Sequence, residues 1–419
     1  MFKTLINAFK VQDIRRRLLY TFFILVVVRL GSLITVPGIS ADAIREYMQN
    51  ALGDSLNIFS SFTGGSFEQM SIFALSVTPY ITASIIIQLL TIAIPALEEM
   101  QKDGEDGRKK ITAITRYMTV GLAILESSGL VVGFGNKGVI ENYNFWTVLT
   151  IVVILTAGSA IVMWLGERAT EKGVGNGISI VLLINIISGM PSDFATLYST
   201  FVAPRTIAKG VLAAAIIIAI LVVMVVLVCF LQDGERRIPV QYSQKVSGRR
   251  TVGGQSTNIP LKVNTAGVMP IIFASSLMQF PVIIAQLFGK SYEWTRYLSS
   301  SYWCRVEAPK YSIGLLVYIV LLIIFAYFYT SITFNPIEVA DNLKKAGGVI
   351  PGITPGKSTS EYLNKILNYI VFIGAVGLLI IALIPIMCTG FFNASVSFGG
   401  TSIIIIVGVV LETLKQIES

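Results

Sequence analysis

Residues 211–231 read VLAAAIIIAILVVMVVLVCFL, 21 consecutive positions without a charge, an amide or a hydroxyl. A helix rises about 1.5 Å per residue, so such a run covers the roughly 30 Å hydrocarbon core of a bilayer. Comparable runs recur along the chain, at 18–36, 72–94, 112–134, 146–165, 176–190, 265–288, 312–334, 366–388 and 399–414. The expected fold is therefore all-α and polytopic, with ten transmembrane helices. Composition agrees: of 419 residues 54% are hydrophobic and 13% charged, against roughly 25% charged in soluble domains. Net charge is +8, but the basic residues sit between apolar runs and form no basic face of the kind a soluble nucleic-acid binder carries.

Lysine and arginine orient the bundle, because cytoplasmic loops are enriched in both. Of the 32, 22 fall in the N-terminus, every second loop and the C-terminal end, 8 fall in the alternate loops, and Arg29 and Arg116 lie within spans. Both termini are expected to be cytoplasmic. The first run is too long for a cleavable signal peptide, contains Arg29 and lacks a small-x-small site. Residues 1–17 read as a cytoplasmic amphipathic start, with Phe2, Leu5, Ile6 and Phe9 on one helical face ahead of Arg15-Arg16-Arg17. The first half covers 18–190 (spans 1–5), an external linker 191–210, the second half 211–414 (spans 6–10), and a cytoplasmic end 415–419.

Five spans per half means that homologous halves would sit inverted in the membrane around a central pore. The oddities fall in matching places: spans 2 and 7 are interrupted by polar residues, and spans 5 and 10 are short. Matched oddities of this kind point to a central pathway. Span 2 carries Ser76, Thr78, Pro79, Thr82, Ser84 and Gln88; span 7 carries Thr265, Pro270, Ser275, Ser276, Gln279 and Pro281. Lipid-facing helices have no use for so many polar groups, whereas a cavity wall or a helix contact does. Spans 2, 5 and 7 hold no ionisable residue. Ion-coupled transporters usually place one near the midplane, so an apolar seal that excludes water fits better. A secondary transporter of small solutes is the alternative.

Catalytic, cofactor-binding and metal-ligating residues are not expected. Histidine is absent, and Cys229, Cys304 and Cys388 have no CxxC spacing. Gly356-Lys357-Ser358 ends like a phosphate-binding loop, but Pro351 stands where the first glycine belongs. Of the charges within spans, Arg29 and Glu126 either pair or snorkel separately to the outer surface. Between spans 1 and 2, Asn57-Ile58-Phe59-Ser60-Ser61-Phe62-Thr63-Gly64-Gly65-Ser66 is too short to span and too apolar for an exposed loop. A re-entrant segment buried in protein satisfies both conditions. Two long basic cytoplasmic loops, 232–264 and 335–365, suit an acidic or RNA-bearing partner.

The motifs Ile72-Phe73-Ala74-Leu75, Pro79-Tyr80-Ile81-Thr82-Ala83-Ser84, Gly175-Asn176-Gly177-Ile178-Ser179, Glu235-Arg236-Arg237-Ile238-Pro239, Leu261-Lys262-Val263-Asn264, Ala340-Asp341-Asn342-Leu343-Lys344-Lys345 and Phe398-Gly399-Gly400-Thr401-Ser402 occur in that order. A chain carrying them resembles the SecY family of protein-conducting channel subunits along nearly its whole length. The resemblance implies a pore that passes unfolded secretory polypeptides and releases membrane segments sideways into lipid. It implies a constriction ring of Val77, Ile81, Ile178, Leu182, Ile272 and Ile405, and a lateral gate of Thr82, Ile85 and Gln88 against Ser276 and Phe280. It implies a plug at 57–70 comprising Asn57, Ile58, Phe59, Phe62, Gly64 and Gly65. Partner docking falls to Arg236, Arg237, Lys245, Arg249, Arg250, Lys344, Lys345 and Lys357. The implied partners are SecE, SecG, the motor ATPase SecA, the ribosome, signal sequences with their nascent chains, and the lipid bilayer of a bacterial plasma membrane. Thr354 stands where such chains commonly carry arginine in the Pro-Gly-Ile-x-Pro-Gly turn, a departure for the SecA contact.

Overall fold

Hydrocarbon offers backbone N–H and C=O groups no water, so apolar runs satisfy them internally as helices. The computed structural model describes residues 10–40, 43–44, 63–135, 139–140, 142–204, 207–242, 245–247, 250–252, 256–287, 293–299, 302–305, 309–392 and 400–418. The first half contributes α1 (Gln12–Gly31), α2 (Thr78–Ala93), α3 (Pro95–Lys102), α4 (Glu105–Gly135), α5 (Phe145–Lys172) and α6 (Gly177–Leu197). The second contributes α7 (Ile207–Asp233), α8 (Met269–Leu287), α9 (Glu293–Leu298), α10 (Ile313–Thr333), α11 (Pro336–Lys345), α12 (Lys357–Phe392) and α13 (Gly400–Glu418).

Six helical stretches among the described residues are long and apolar enough to cross a membrane: Glu105–Gly135, Phe145–Lys172, Gly177–Val202, Lys209–Asp233, Pro309–Lys345 and Lys357–Cys388. Helices α2 and α3 make a seventh if their 107° bend lies within one span. Pro95 causes that bend. Proline drives the residue before it out of the helical region, and Ile94 is extended at φ −113°, ψ 111°. Helix α7 leaves Val211, Leu212, Ile218, Val222 and Phe230 exposed, a surface that only lipid or another apolar chain tolerates.

Side-chain caps start two helices. Asn176 Oδ1 accepts from the N–H groups of Ile178 (3.2 Å) and Ser179 (3.4 Å) at the head of α6. Asn335 Oδ1 does the same for Ile337 (3.1 Å) and Glu338 (3.5 Å) at α11, where Pro336 gives up no helical hydrogen bond.

The expectation of plain loops at 232–264 and 335–365 needs correcting. They share a three-stranded antiparallel sheet in the order β4–β1–β5, formed by β1 (Glu235–Tyr242), β4 (Ser256–Lys262) and β5 (Gly348–Val349). Between β1 and β4 in the chain, β2 (Lys245–Ser247) and β3 (Arg250–Val252) pair antiparallel as a separate two-stranded sheet. Glu235 pairs with Lys262 and Gln241 with Ser256, while Gln241 and Tyr242 pair with Val349 and Gly348 on the other edge. Alternation in β1 buries Ile238 and Val240 between exposed neighbours. These pack with Leu261, Leu343, Ile350, Leu363 and Ile366 into a cluster of their own. The same cluster explains why α12 begins at Lys357, well before the expected span at 366. Its first turns bury Leu363 and Ile366 against the sheet rather than in lipid.

Span 2 was expected from residue 72, but 72–77 is a turn and the helix starts at Thr78. Met70 (φ 41°) and Ser76 (φ 49°) take left-handed backbone angles, and the stretch is buried at Thr63, Ser66, Phe67, Met70, Ser71, Ala74, Leu75 and Ser76. Irregular backbone at membrane depth survives only where protein covers it. Here Val36 N–H donates to Met70 O (3.0 Å) and Ile72 N–H to Ile34 O (2.9 Å).

Candidate functional site

Three helix starts and one late helix bring the expected ring residues inward. Val77 is the N-cap of α2, Ile81 lies one turn on, and Ile178 occupies the first turn of α6 under the Asn176 cap. Leu182 follows a turn later, Ile272 sits in the first turn of α8, and Ile405 lies in α13. Val77, Leu182, Ile272 and Ile405 are buried, while Ile81 and Ile178 are partly so. They do not form one cluster. Val77 and Ile178 pack with Ile24, Val28, Phe73 and Val181, whereas Ile272 and Ile405 pack with Ile180, Ile271 and Ile404. Ile81 lies against both groups and joins them. Leu182 is buried on α6 outside either group. The junction is apolar, and none of its six side chains ionises.

The two halves meet where α6 packs on α13 and where α4 packs on α8. Of the expected gate residues, Ile85 on α2 is buried in the same cluster as Ile271, Ala274 and Met278 of α8. Among the described residues, Thr82 and Gln88 bond within their own helix and not across to α8. Thr82 Oγ1 donates to Thr78 O (3.1 Å) and Gln88 Nε2 to Ser84 Oγ (3.4 Å), both within α2. Gln88 Oε1 is buried with no partner among the described residues. Ser276 is half-buried on α8, and the Phe280 side chain lies outside the described residues. The part of α4 in this seam was not anticipated, although its sequence carries Thr115, Thr119, Glu126, Ser127 and Ser128, polar groups of the kind that singled out spans 2 and 7.

Asn57, Ile58, Phe59 and Phe62 of the expected plug lie outside the described residues, as do positions 1–9 of the amphipathic start. Gly64 and Gly65 are described and have positive φ, 64° and 78°. Gly64 O accepts from Arg29 Nη1 (3.0 Å) and from Ser188 Oγ (3.3 Å). Neither alternative for Arg29, pairing with Glu126 or snorkelling to the outer surface, describes these contacts. Among the described residues it forms no ion pair with Glu126, and its guanidinium donates to Gly64 O and to Ser32 Oγ (3.3 Å). Arg116, the other arginine within a span, also has a partner that the sequence did not reveal. Its Nη2 and Nε lie 2.8 and 2.9 Å from the two carboxylate oxygens of Glu167 at the end of α5.

On the loops, Arg236, Arg237, Lys344, Lys345 and Lys357 are exposed. Arg237 pairs with Glu235 (2.6 Å) and Lys357 approaches Glu361 (4.0 Å). Lys344 and Lys345 occupy the last turn of α11, where cations also favour the helix dipole. Lys245 and Arg250 stand on β2 and β3, with side chains outside the described residues, and Arg249 lies outside them altogether. Thr354 is exposed, and its carbonyl accepts from Thr359 Oγ1 (2.9 Å). The three cysteines are free thiols, and burial pushes the Cys304 thiol up.

Comparison with known proteins gives one consistent match. A family model described as SecY matches residues 71–414. A protein translocase subunit SecY of Streptomyces galbus is 45% identical over 427 residues, covering 99% of this chain and 96% of the relative. A solved SecY structure, described as showing that the plug domain stabilises the closed state and maintains a membrane seal, superposes with a TM-score of 0.66 at 17% identity. That match covers 96% of this chain and 92% of the other. Sec61 in a canine ribosome–channel complex gives a TM-score of 0.59 at 16% identity, with the same two coverages of 96% and 92%.

Proposed function

Because the chain belongs to the SecY family, we propose that its apolar junction is the seal of a protein-conducting pore and that its two halves part to admit a passenger. The protein is a multi-pass membrane protein and a translocase subunit, and its work is transport rather than catalysis. The observation that carries the site reading is the position of Ile81 between two clusters, one with Val77 and Ile178 and the other with Ile272 and Ile405. Branched apolar side chains there exclude water when closed and have no chemical preference for what passes.

Ten spans in two inverted halves follow from the matched oddities of spans 2 and 7. In this arrangement both termini lie in the cytoplasm of a bacterial cell and the chain in its plasma membrane, in keeping with the lysine and arginine bias. The lateral gate runs between α2 and α8, with α4 as part of the same seam. A signal sequence with a dozen apolar residues gains about 0.3–0.6 kcal/mol per Leu-like residue on entering lipid. That suffices to hold open a gate closed by a few kcal/mol. SecE and SecG would cover apolar faces such as that of α7. The ribosome or SecA would dock on the sheet-linked loops, whose exposed arginines and lysines suit RNA or acidic protein. The ribosome is supported by the Sec61 neighbour, described in complex with it.

Cysteines placed at Ile81 and Ile272 should crosslink to a stalled secretory chain in proteoliposomes, and a cysteine at Ile92, which is exposed on α2, should not. Equal crosslinking at all three, or uptake of small solutes without a signal peptide, would overturn the pore assignment. The gate makes a second prediction. Gln88→Leu removes a buried carbonyl that has no partner among the described residues. Relieving that desolvation is worth about 1 kcal/mol, so the closed seam gains and transfer of a passenger with a weakened signal falls about fivefold. An unchanged or increased transfer would count against the gate.

A further inference from the structure

Helix α10 runs from the segment that follows α8 to α11 on the sheet side, so residues 293–312 stand at the end of the bundle away from the sheet. Three cations converge there on two tyrosines. The guanidinium carbons of Arg296 and Arg305 lie 5.9 and 5.2 Å from the centre of the Tyr302 ring, and Lys310 Nζ lies 5.0 Å from that of Tyr311. The two rings are 6.0 Å apart. Cations at these distances are attracted to ring faces, but they repel one another. The segment 288–312 carries Lys290, Arg296, Arg305 and Lys310 against Glu293 and Glu307, so it keeps a net positive charge. The cluster rests on a fixed base. Trp303 Nε1 donates to Tyr297 O (2.8 Å), the Trp303 ring lies 5.5 Å from that of Tyr318 on α10, and Cys304 N–H donates to Ser312 Oγ (3.2 Å). Gly314 meets Tyr297 O so closely that no Cβ fits between them.

A second observation lies on α10. Ile313, Val317, Val320 and Ile324 follow Lys310 at i+3, i+7, i+10 and i+14, the spacing of one helical face. All four are exposed, with Leu316 beside them. In a multi-pass membrane protein such an aliphatic stripe faces acyl chains, and exposed Trp294 with the neighbouring tyrosines suits the headgroup level above it. We infer that Arg296, Arg305 and Lys310 form a site for an anionic phospholipid, with its phosphate among the three cations and its acyl chains along Ile313, Val317 and Val320. Arginine and lysine both bind phosphate, and the surplus positive charge selects a headgroup of net negative charge over a zwitterion. None of these side chains belongs to the proposed ring or gate, so the inference goes beyond the pore reading and does not depend on it.

The test uses the full chain in its membrane complex, in phosphatidylcholine bilayers doped with a photoactivatable lipid whose acyl chain carries a diazirine. The dopant is either phosphatidylglycerol or phosphatidylcholine. Adducts on residues 313–324 are counted after digestion, with adducts at the exposed Leu149 and Val153 of α5 as the reference. A single cation beside an anionic headgroup favours it about fivefold. Phosphatidylglycerol should therefore label 313–324 about fivefold more than phosphatidylcholine does, and show no preference at α5. Arg296→Gln combined with Lys310→Gln should bring that ratio near one. Should the double variant fail to accumulate, Lys310→Gln alone decides, because Lys310 is exposed; it should halve the ratio. Equal labelling by the two lipids in the wild type, or a ratio that the substitutions leave unmoved, overturns the site. Loss of the preference in sodium phosphate but not in sodium chloride of equal ionic strength would show that a free anion is the occupant, and would overturn the lipid.

Discussion

Proteoliposomes containing the Ile81→Asn and Ile272→Asn double variant should leak small ions at rest on the order of a hundredfold faster than wild type. Fully burying an isoleucine side chain is worth roughly 1.5–3 kcal/mol, and each 1.36 kcal/mol is a factor of ten in rate. Replacing two such side chains with amides hydrates the constriction, and even part of that energy gives two decades. Ile272 is buried in the cluster that also holds Phe273, Leu322 and Leu378, so its substitution carries a folding cost as well. The single variant Ile81→Asn separates the effects, because Ile81 is only partly buried between the two clusters. It should leak about tenfold faster and fold normally. Ile92→Asn, on the exposed face of the same helix, should leave conductance unchanged. Equal leakage from Ile81 and Ile92 variants would mean that the junction is ordinary packing.

The second large effect concerns stability. Glu167→Ala should destabilise the detergent-solubilised protein by about 2 kcal/mol, measured as a fall in its unfolding midpoint. Arg116 makes two charge-assisted hydrogen bonds to this carboxylate, and each such bond contributes roughly 1.5–3 kcal/mol when its partner is lost. The Glu167 side chain is 13% exposed but that of Arg116 is 49% exposed, so water recovers part of the loss. The double variant Arg116→Leu with Glu167→Leu should regain most of the stability, because no charge is then left without its partner. A double variant as unstable as the single one would show that packing, and not charge, is responsible.

The contrast between these two regions shows what a sequence alone discloses. The runs at 112–134, 146–165, 211–231, 312–334 and 366–388 coincide with helices long enough to cross a bilayer, since apolar length is a local property. Of the stretch 57–66, read as too short and too apolar for an exposed loop, the described part from Thr63 onward is irregular and largely buried. Charge partners are not local. Arg29 was assigned Glu126 or the membrane surface, yet it bonds the carbonyl of Gly64, and a backbone carbonyl leaves no trace in composition. Nor did the sequence show that Glu167 at the end of α5 faces Arg116 on α4. The sheet was missed because β1 offers only Ile238 and Val240 as an alternating pair, interrupted by Pro239. Its partners come from strands about twenty and a hundred residues away, and β5 is two residues long. For the proposed ring, the resemblance to the family named the side chains, but the separation of Val77 and Ile178 from Ile272 and Ile405, with Ile81 touching both groups, comes from packing alone.

Helix α12 runs 36 residues, about 54 Å at 1.5 Å per residue, against a hydrocarbon slab of roughly 30 Å. Some 20 Å of it must therefore stand clear of the hydrocarbon, and its foot is bolted to the sheet through Leu363 and Ile366. Such a mast has no proline joint between the sheet-linked loops and the bundle until Pro385. A cytosolic machine leaning on those loops would thus tilt a stiff spar, and leverage rather than contact at the pore would carry its force inward.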